Sequence, residues 1–432
     1  MYKSCKYLED ALYVAPNEIR ACCQRFFYGR KMRGDAKLLD IVENKTPKTS
    51  DIAKARKKVF EDIQLNKNED CKGCIFLKKT KKKPVFTSNI SHLSIEHHSI
   101  CNLRCKYCSE IYWGGKRSKY NVVEFISYLS KSSSLNNCQQ VVWGGGEPTL
   151  NKSFEQILEK IHGSAKPKIY HRVFTNSVRY SEAITKFLKR GLIKIVTSID
   201  SGTPETFKKI RGRQKFYDVF KNLKSYAKID PSKVTVKYIF TEENYEEKEI
   251  DAFVINCKKY NLKNCNFQIS LNYKNKNIKF KILKAILYLF FKLSKNNFKK
   301  IFLDDHIMIR FISPNKNELE NIKKYLNEKN AIDVLLDPKK ISDLIIYGAG
   351  KIATEIIKKT NFIKEIQNFD LVDSDNSKVG DFMLNKKIKS PEMLKNDNRF
   401  IYIATAQSYD EVYKNILNIK GNSDKVLTGL IL

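Results

Sequence analysis

No stretch of this 432-residue chain reaches the roughly 18 uninterrupted apolar residues that a helix needs to cross a bilayer. The opening Met1 to Cys5 lacks the basic-then-apolar layout of a secretory leader. Together the two absences make the cytoplasm the expected compartment. Internal repeats are missing as well. Acidic side chains are outnumbered, 47 against 80 Lys and Arg, which leaves a formal charge of +33. The excess is mostly lysine, spread from Lys3 to Lys425, without the arginine and stacked aromatics of a nucleic-acid groove. A solvated basic surface is expected, with nucleic acid not expected as a partner and weak surface association the most that charge implies for membranes.

What is present is a globular composition: 42% hydrophobic residues, 22 Tyr and 25 Phe. At about 100–200 residues per domain, two or three domains are expected. The 11 Cys are clustered and odd in number. In a reducing compartment this points to metal ligation or redox chemistry rather than disulfides.

Breaker residues divide the chain into residues 1–84, which end in a basic linker, then 85–277, 278–340 and 341–432. In the second block β-type runs alternate with helical patterns, the signature of parallel βαβ units. Strands are expected at His92–Glu96, Gln140–Trp143, His171–Phe174, Ile193–Ser198, Val234–Phe240 and Asn266–Leu271, with helices at Val122–Ser130, Ser153–Ile161, Ser181–Lys189, Phe216–Ala227 and Glu247–Lys259. The third block opens with a basic, aromatic-rich helix over Lys279–Lys300. Its apolar heart suits packing, with an interfacial membrane helix as the alternative.

Cys101, Cys105 and Cys108 form C-x3-C-x2-C directly after the first of those strands. Three soft thiolates in one loop can hold three irons of a cubane and leave the fourth open for a substrate or cofactor. A zinc site completed by His97 or His98 is the alternative, although structural zinc sites usually arrive as two ligand pairs. The spacing, with Tyr107 before the last cysteine, resembles the radical S-adenosylmethionine (SAM) superfamily. The resemblance extends to Gly144-Gly145-Gly146-Glu147-Pro148, which looks like that family's glycine-rich SAM-binding segment. It also extends to Phe174-Thr175-Asn176 and Ser198-Ile199-Asp200, which resemble contacts to the SAM ribose and carboxylate. Lys237 on the fifth strand is expected to face solvent rather than the cofactor. The resemblance implies an α/β fold with a partial (β/α)6 barrel, a 4Fe-4S cluster, SAM as cofactor, Tyr107, Gly145, Gly146, Glu147, Asn176, Ser198 and Asp200 as cofactor contacts, and an electron donor such as flavodoxin or ferredoxin.

Cys5, Cys22, Cys23, Cys71 and Cys74 supply enough thiols for a second metal group. Their layout resembles the SPASM and twitch auxiliary-cluster modules of radical SAM enzymes, although those commonly follow the core and this one precedes it. The implied ligands are Cys5, Cys22, Cys71 and Cys74, for a 4Fe-4S cluster or for zinc, since thiolate softness suits both. Cys138, Cys257 and Cys265 lie in core patterns and read as packing residues.

The last block opens on Asp343–Tyr347, then Gly348-Ala349-Gly350-Lys351-Ile352-Ala353 and, after a further strand, Asp373. A strand, a G-x-G-x-x-A turn and a later carboxylate meet the context of a dinucleotide fingerprint, so Gly348, Gly350 and Asp373 are candidate contacts for a nucleotide or NAD. The block is short for a complete nicotinamide domain and resembles the small Rossmann-like domains of bacterial sugar-modifying enzymes. Two substrate classes follow: a sugar or nucleotide-linked glycan precursor, from this last resemblance, and a peptide or protein, from the cysteine module. A non-catalytic zinc-binding interaction protein is the reading from outside enzymology.

Overall fold

The computed structural model describes the chain except residues 29–30, 75, 110–113, 165–168, 273–278, 299, 305–306, 308–315, 332–340, 342, 360–365, 367, 406–408, 423 and 428–432. The expected linker proline Pro338 lies outside the described residues. Two compact units emerge: Met1–Thr197 with Arg211–Val234, and Ser198–Ile210 with Thr235–Leu432.

In the first unit the strands are β1 (Tyr2–Ser4), β2 (Ala11–Val14), β3 (Glu18–Arg20), β4 (Arg25–Tyr28), β5 (Lys31–Gly34), β6 (Lys37–Asp40), β7 (Lys78–Thr80), β8 (His92–Ile95), β9 (Gln140–Trp143), β10 (Tyr170–Phe174) and β11 (Ile193–Ser198). Its principal sheet runs β11-β10-β9-β8-β2-β3-β6. The four strands β8 to β11 are parallel, and β2 pairs parallel with β8, so a strand of the first sequence block extends the sheet. Alternation within each strand sorts the faces. Leu93 and Ile95, Val141 and Trp143, His171 and Val173, and Ile193 and Ile195 are buried on one side. Helices cover that side: Trp143 meets Phe154 edge-on at 5.0 Å and His171 meets Phe187 at 5.9 Å. The buried indole is satisfied, its Nε1 donating to Nδ1 of His171 at 3.2 Å. Burial holds His171 neutral, pushing its pKa down to about 3.

The amino-terminal residues pack through the helix Thr49–Gln64, whose Ile52, Val59, Phe60 and Ile63 are buried. Arg56 on this helix is fully buried and donates to the carbonyls of Ala11, Thr87 and Asn89, tying the helix to β2 and to the approach of β8.

The second unit contains β12 (Val234–Phe240), β13 (Asn266–Leu271) and β14 (Lys300–Leu303), which pair in parallel in that order. The helix Phe280–Lys295 packs on Glu247–Lys259 and on β14, with Ile282, Leu283, Ile286, Leu289 and Leu293 among its buried residues. Its apolar stripe is consumed by internal packing, which corrects the interfacial-membrane alternative. Among the described residues no helix is long and apolar enough to cross a membrane. A separate sheet contains β15 (Asp343–Tyr347), β16 (Asn368–Val372), β17 (Phe382–Met383), β18 (Lys386–Lys389), β19 (Phe400–Ile403) and β20 (Val426–Leu427) in the order β17-β18-β16-β15-β19-β20. Ala353 and Ile356 belong to the core on one face, while Tyr409, Val412 and Ile416 belong to the core on the other. Helices on both faces of a largely parallel sheet are the doubly wound arrangement.

Candidate active site and a second cysteine cluster

Three thiols follow β8 in one loop, and β9 delivers the glycine segment beside it. The amide N–H groups of Gly144, Gly146 and Glu147 donate to the carbonyls of Ile95, His98 and Ile100 at 3.1, 2.9 and 2.8 Å. The segment therefore runs along the backbone that leads into Cys101. Space dictates the residue type. A Cβ at Gly146 would stand 2.3 Å from the Ile100 carbonyl oxygen, and Gly145 has φ +84° with His98 O 2.9 Å from a Cβ.

Glu147 is buried, and its carboxylate accepts from Thr149 N and Oγ1, from Thr175 Oγ1 at 2.8 Å and from Asn176 N at 2.6 Å. Burial raises its pKa, with those donors opposing the rise. These bonds account for the capacity of a carboxylate, about four acceptor sites. Glu147 thus joins the glycine segment to the end of β10. Asn176 carries the link onward: its Nδ2 donates to Asn102 Oδ1 at 2.7 Å and lies 3.7 Å from Cys101 Sγ.

The loop is held from another direction by a residue that sequence reasoning missed. Arg211 is 5% exposed, donates to the Tyr107 hydroxyl and holds its guanidinium 5.6 Å from the Tyr107 ring centroid. The Arg104 N–H donates to Arg211 O at 3.0 Å. Gly212 makes that approach feasible, because with φ +75° a Cβ there would lie 2.7 Å from Arg104 O. Local pattern could not disclose this contact, since Tyr107 and Arg211 are 104 positions apart.

His97 and His98 are buried and spent on packing. His97 Nε2 contacts Asn151 Nδ2 at 2.8 Å, and His98 Nδ1 accepts from Ile100 N at 3.2 Å. Burial pushes their pKa values down to about 3 and about 4. Among the described residues no three His, Cys, Asp or Glu side chains converge as ligands of a single ion. Three thiolates in one loop suit a cubane, in which each can bind a different iron.

Ser198 and Asp200 fall in the second unit. Ser198 ends β11 half-buried. Asp200 is fully buried at φ +63°, its Oδ1 accepts from Ile239 N at 2.7 Å, and its carbonyl accepts from Asn244 Nδ2 at 2.8 Å. Burial pushes its pKa up to about 8. The expectation that Lys237 faces solvent is corrected: its side chain is 19% exposed and its Nζ lies 3.7 Å from Asp304 Oδ2.

Cys5, Cys22, Cys71 and Cys74 line one small, largely apolar pocket with Tyr7, Leu8 and Leu77. Burial pushes the Cys5 thiol up to about 11, with Cys22 and Cys74 adding to the rise; Cys71 is raised by burial and by Cys22, Cys5 and Cys74. Short local bonds shape the pocket: Cys5 Sγ accepts from Leu8 N at 3.4 Å, and Cys74 N donates to Cys71 O at 3.1 Å. The Cys22-Cys23 doublet divides. Cys23 is absent from that lining; it is exposed and lies near Ser94 and Glu96. Cys138, Cys257 and Cys265 are fully buried.

In the carboxy-terminal sheet, Gly348 has φ +109° and Gly350 opens the helix Lys351–Lys359. Asp373 Oδ2 accepts from Ala349 N at 2.8 Å and from Lys378 Nζ at 2.9 Å, while Oδ1 accepts from Asp375 N at 2.9 Å. The acid anchors the glycine turn itself.

A strand-borne cysteine loop locked to a glycine segment is what the comparison recognises: residues 95–254 match the family model of the Radical SAM superfamily, so this part of the chain is a radical SAM domain. Such a domain implies a 4Fe-4S cluster and SAM binding. More particularly, the chain is similar to the GTP 3',8-cyclase of Actinobacillus succinogenes, 30% identical over 166 residues, covering 38% of this chain and 48% of the relative. It is also similar to the enzyme of that name from Haemophilus influenzae, 29% identical over 156 residues, 36% of this chain and 46% of the relative. The chain spans about half the length of the curated relatives it matches. Among solved structures, SuiB of Streptococcus suis bound to S-adenosylmethionine is similar at a TM-score of 0.42 and 15% identity, covering 63% of this chain and 59% of that one. Native anSMEcpe with bound AdoMet and Cp18Cys peptide is similar at a TM-score of 0.40 and 20% identity, covering 51% of this chain and 65% of that one.

Proposed function

We propose that Cys101, Cys105 and Cys108 each ligate one iron of a 4Fe-4S cluster whose fourth iron takes SAM, and that the protein uses it to modify a sugar or nucleotide-linked glycan precursor. When bound, the reduced cluster supplies the electron that cleaves SAM to methionine and a 5'-deoxyadenosyl radical, which abstracts hydrogen from the substrate. The residues of this chain position and shield that chemistry. Asn176 directs an amide donor at Cys101 Sγ and is itself held by Glu147, so Glu147 acts through Asn176 and the glycine segment. Arg211 fixes Tyr107 beside the last cysteine. The observation that carries the reading is this continuous link from cysteine loop to glycine segment.

Cys5, Cys22, Cys71 and Cys74 are the proposed ligands of a second group, an auxiliary 4Fe-4S cluster with zinc as the alternative; what supports a shared group is that all four thiols line one pocket. Support for a nucleotide-linked substrate comes from the carboxy-terminal fold and from the relatives, whose name gives GTP as what they act on. With Asp373 engaged, a nucleotide at that fold would rely on the turn at Gly348 and Gly350. A peptide substrate is the second reading, favoured by the cysteine pocket. Anaerobic reconstitution with iron and sulfide tests the core. Cys105→Ala is expected to reduce SAM cleavage to background, whereas Cys74→Ala keeps cleavage and loses substrate turnover. Equal, complete loss in both would argue against two separate sites.

A further inference from the structure

The sheet of the first unit has a second face, turned away from its helices, and neighbouring strands bring unlike chemistry together at its carboxyl edge. With Ile95, Trp143 and Val173 buried under the helices, alternation assigns Glu96, Gly144 and Phe174 to the other face. The parallel register sets Ile95 against Trp143 and Trp143 against Val173. One step further, Glu96, Gly144 and Phe174 therefore fall in one row across the ends of β8, β9 and β10. Strand spacing puts the two outer residues about 10 Å apart.

Gly144 lacks a side chain for a reason unlike that of Gly146. A Cβ there would stand 3.1 Å from Glu96 Oε1 and 3.4 Å from Glu96 Cδ, so the Glu96 carboxyl group leans over Gly144, in the direction of β10. Tyr13, on the neighbouring β2, donates to Glu96 Oε2 and fixes the group from the other side. One such bond uses only part of a carboxylate's capacity, about four acceptor sites. Phe174 closes the row and is 43% exposed, although Val173 before it, Thr175 and Asn176 after it and Val196 beside it in the sheet are all buried. Its exposure is thus confined to the space in front of this row. Asn176, two positions on, carries the contact to Cys101 Sγ, which sets the row beside the cysteine loop.

We infer that Glu96 and Phe174 form a subsite for the sugar ring of the substrate, Phe174 covering an apolar C–H face of the ring and Glu96 accepting from its hydroxyl groups. A pyranose presents both surfaces together, C–H groups on its faces and hydroxyls around its rim. Covering an exposed phenyl ring gains apolar burial, and hydroxyl bonds to a carboxylate are among the stronger hydrogen bonds. A cationic peptide side chain also suits an aromatic ring beside an acid. Here, however, the charges of Arg25 and Arg20 already act on Glu96, and Arg172 shares the face two positions before Phe174. A neutral ring meets no such repulsion. The inference rests on the reading of a sugar substrate and deepens it, by naming the residues that hold the ring beside the cysteine loop.

Saturation-transfer NMR on the reconstituted full-length protein, without SAM, tests it. Methyl glucoside, methyl galactoside and methyl N-acetylglucosaminide serve as neutral pyranose probes, and N-acetyl-lysine methylamide as the cationic comparison. Saturable transfer to the ring C–H protons of at least one pyranoside is expected. Phe174→Ala and Glu96→Ala should each weaken that binding about fivefold or more, whereas Phe174→Tyr should keep it. Phe382→Ala, at a phenylalanine 71% exposed in the other unit, should leave it unchanged and so separates the subsite from general aromatic contact. Should Glu96→Ala fail to fold, the two Phe174 variants read the same subsite. Wild-type affinity for the pyranoside in both alanine variants would overturn the subsite and leave the sugar reading standing. Binding of the lysine probe alone, lost in those variants, would overturn both, and no saturable response to any probe would overturn the subsite. Deuterium transfer from labelled sugar nucleotides into 5'-deoxyadenosine decides the sugar reading separately.

Discussion

Two glycine-rich turns follow two strands in this chain, and they use glycine for different reasons. At Gly144–Gly146 the residue opposite is backbone: Ile100 O would lie 2.3 Å from a Cβ on Gly146. At Gly348–Gly350 only the first glycine is demanded, by φ +109°, and a Cβ on Gly350 would meet nothing within 4 Å. The earlier turn is a structural splice between a strand and the cysteine loop, whereas the later one leaves room in front of a helix start. Each has a carboxylate, Glu147 or Asp373, and in both cases that carboxylate is engaged by the turn's own surroundings. A glycine motif is therefore interpretable only with knowledge of what stands against it.

The comparison can be broken by substitution. The largest effect is expected from Gly146→Ala, which forces Cβ into Ile100 O; overpacking of this kind costs about 1–3 kcal/mol or more, and SAM cleavage should fall with it. Retained stability in denaturant unfolding would mean that the splice yields. Glu147→Gln comes next. Its amide places a donor near the Asn176 or Thr donors, and about 1.5–3 kcal/mol of stability should be lost, with weaker SAM binding by calorimetry. Asp373→Asn should cost less, about 1 kcal/mol, because Lys378 is one-third exposed and water replaces part of the lost pairing. Gly350→Ala should lie within about 0.5 kcal/mol of wild type, and a large loss there would refute the open space assigned to it.

Asp200 sharpens the contrast through pH. Its folded-state pKa is raised from 3.8 to about 8, so the folded state binds this proton more tightly than the unfolded chain. The group's contribution to stability is complete below about pH 4 and declines as pH rises toward 8. Asp200→Asn keeps an oxygen to accept from Ile239 N and should flatten that decline in unfolding experiments between pH 5 and 8. An unchanged slope would show that Asp200 titrates normally.

Much of the strand pattern was legible. The spans read from β-branched and aromatic runs coincide to within about one residue with β8 to β13, because alternation and apolar content are local properties. The strands β2 and β14 and the helix Pro204–Arg211 were not read. Ala11–Val14 is buried at every position and shows no alternation, so its pairing with β8 depends on a partner some 80 positions away. The cysteine loop was conspicuous for its spacing, whereas Arg211 and Gly212 were not, since each matters only through contact with Arg104 or Tyr107.

By itself the sequence determined the cysteine spacing, the glycine turns and the strand periodicity, since each depends on neighbours within a few positions along the chain. Only the tertiary structure decided that Cys22 and not Cys23 joins Cys5, Cys71 and Cys74, that Glu147 and Asp373 are engaged, and that Glu96 and Phe174 flank Gly144 across three strands. The physical reason is that a buried polar group takes its partners from whichever strands and loops surround it.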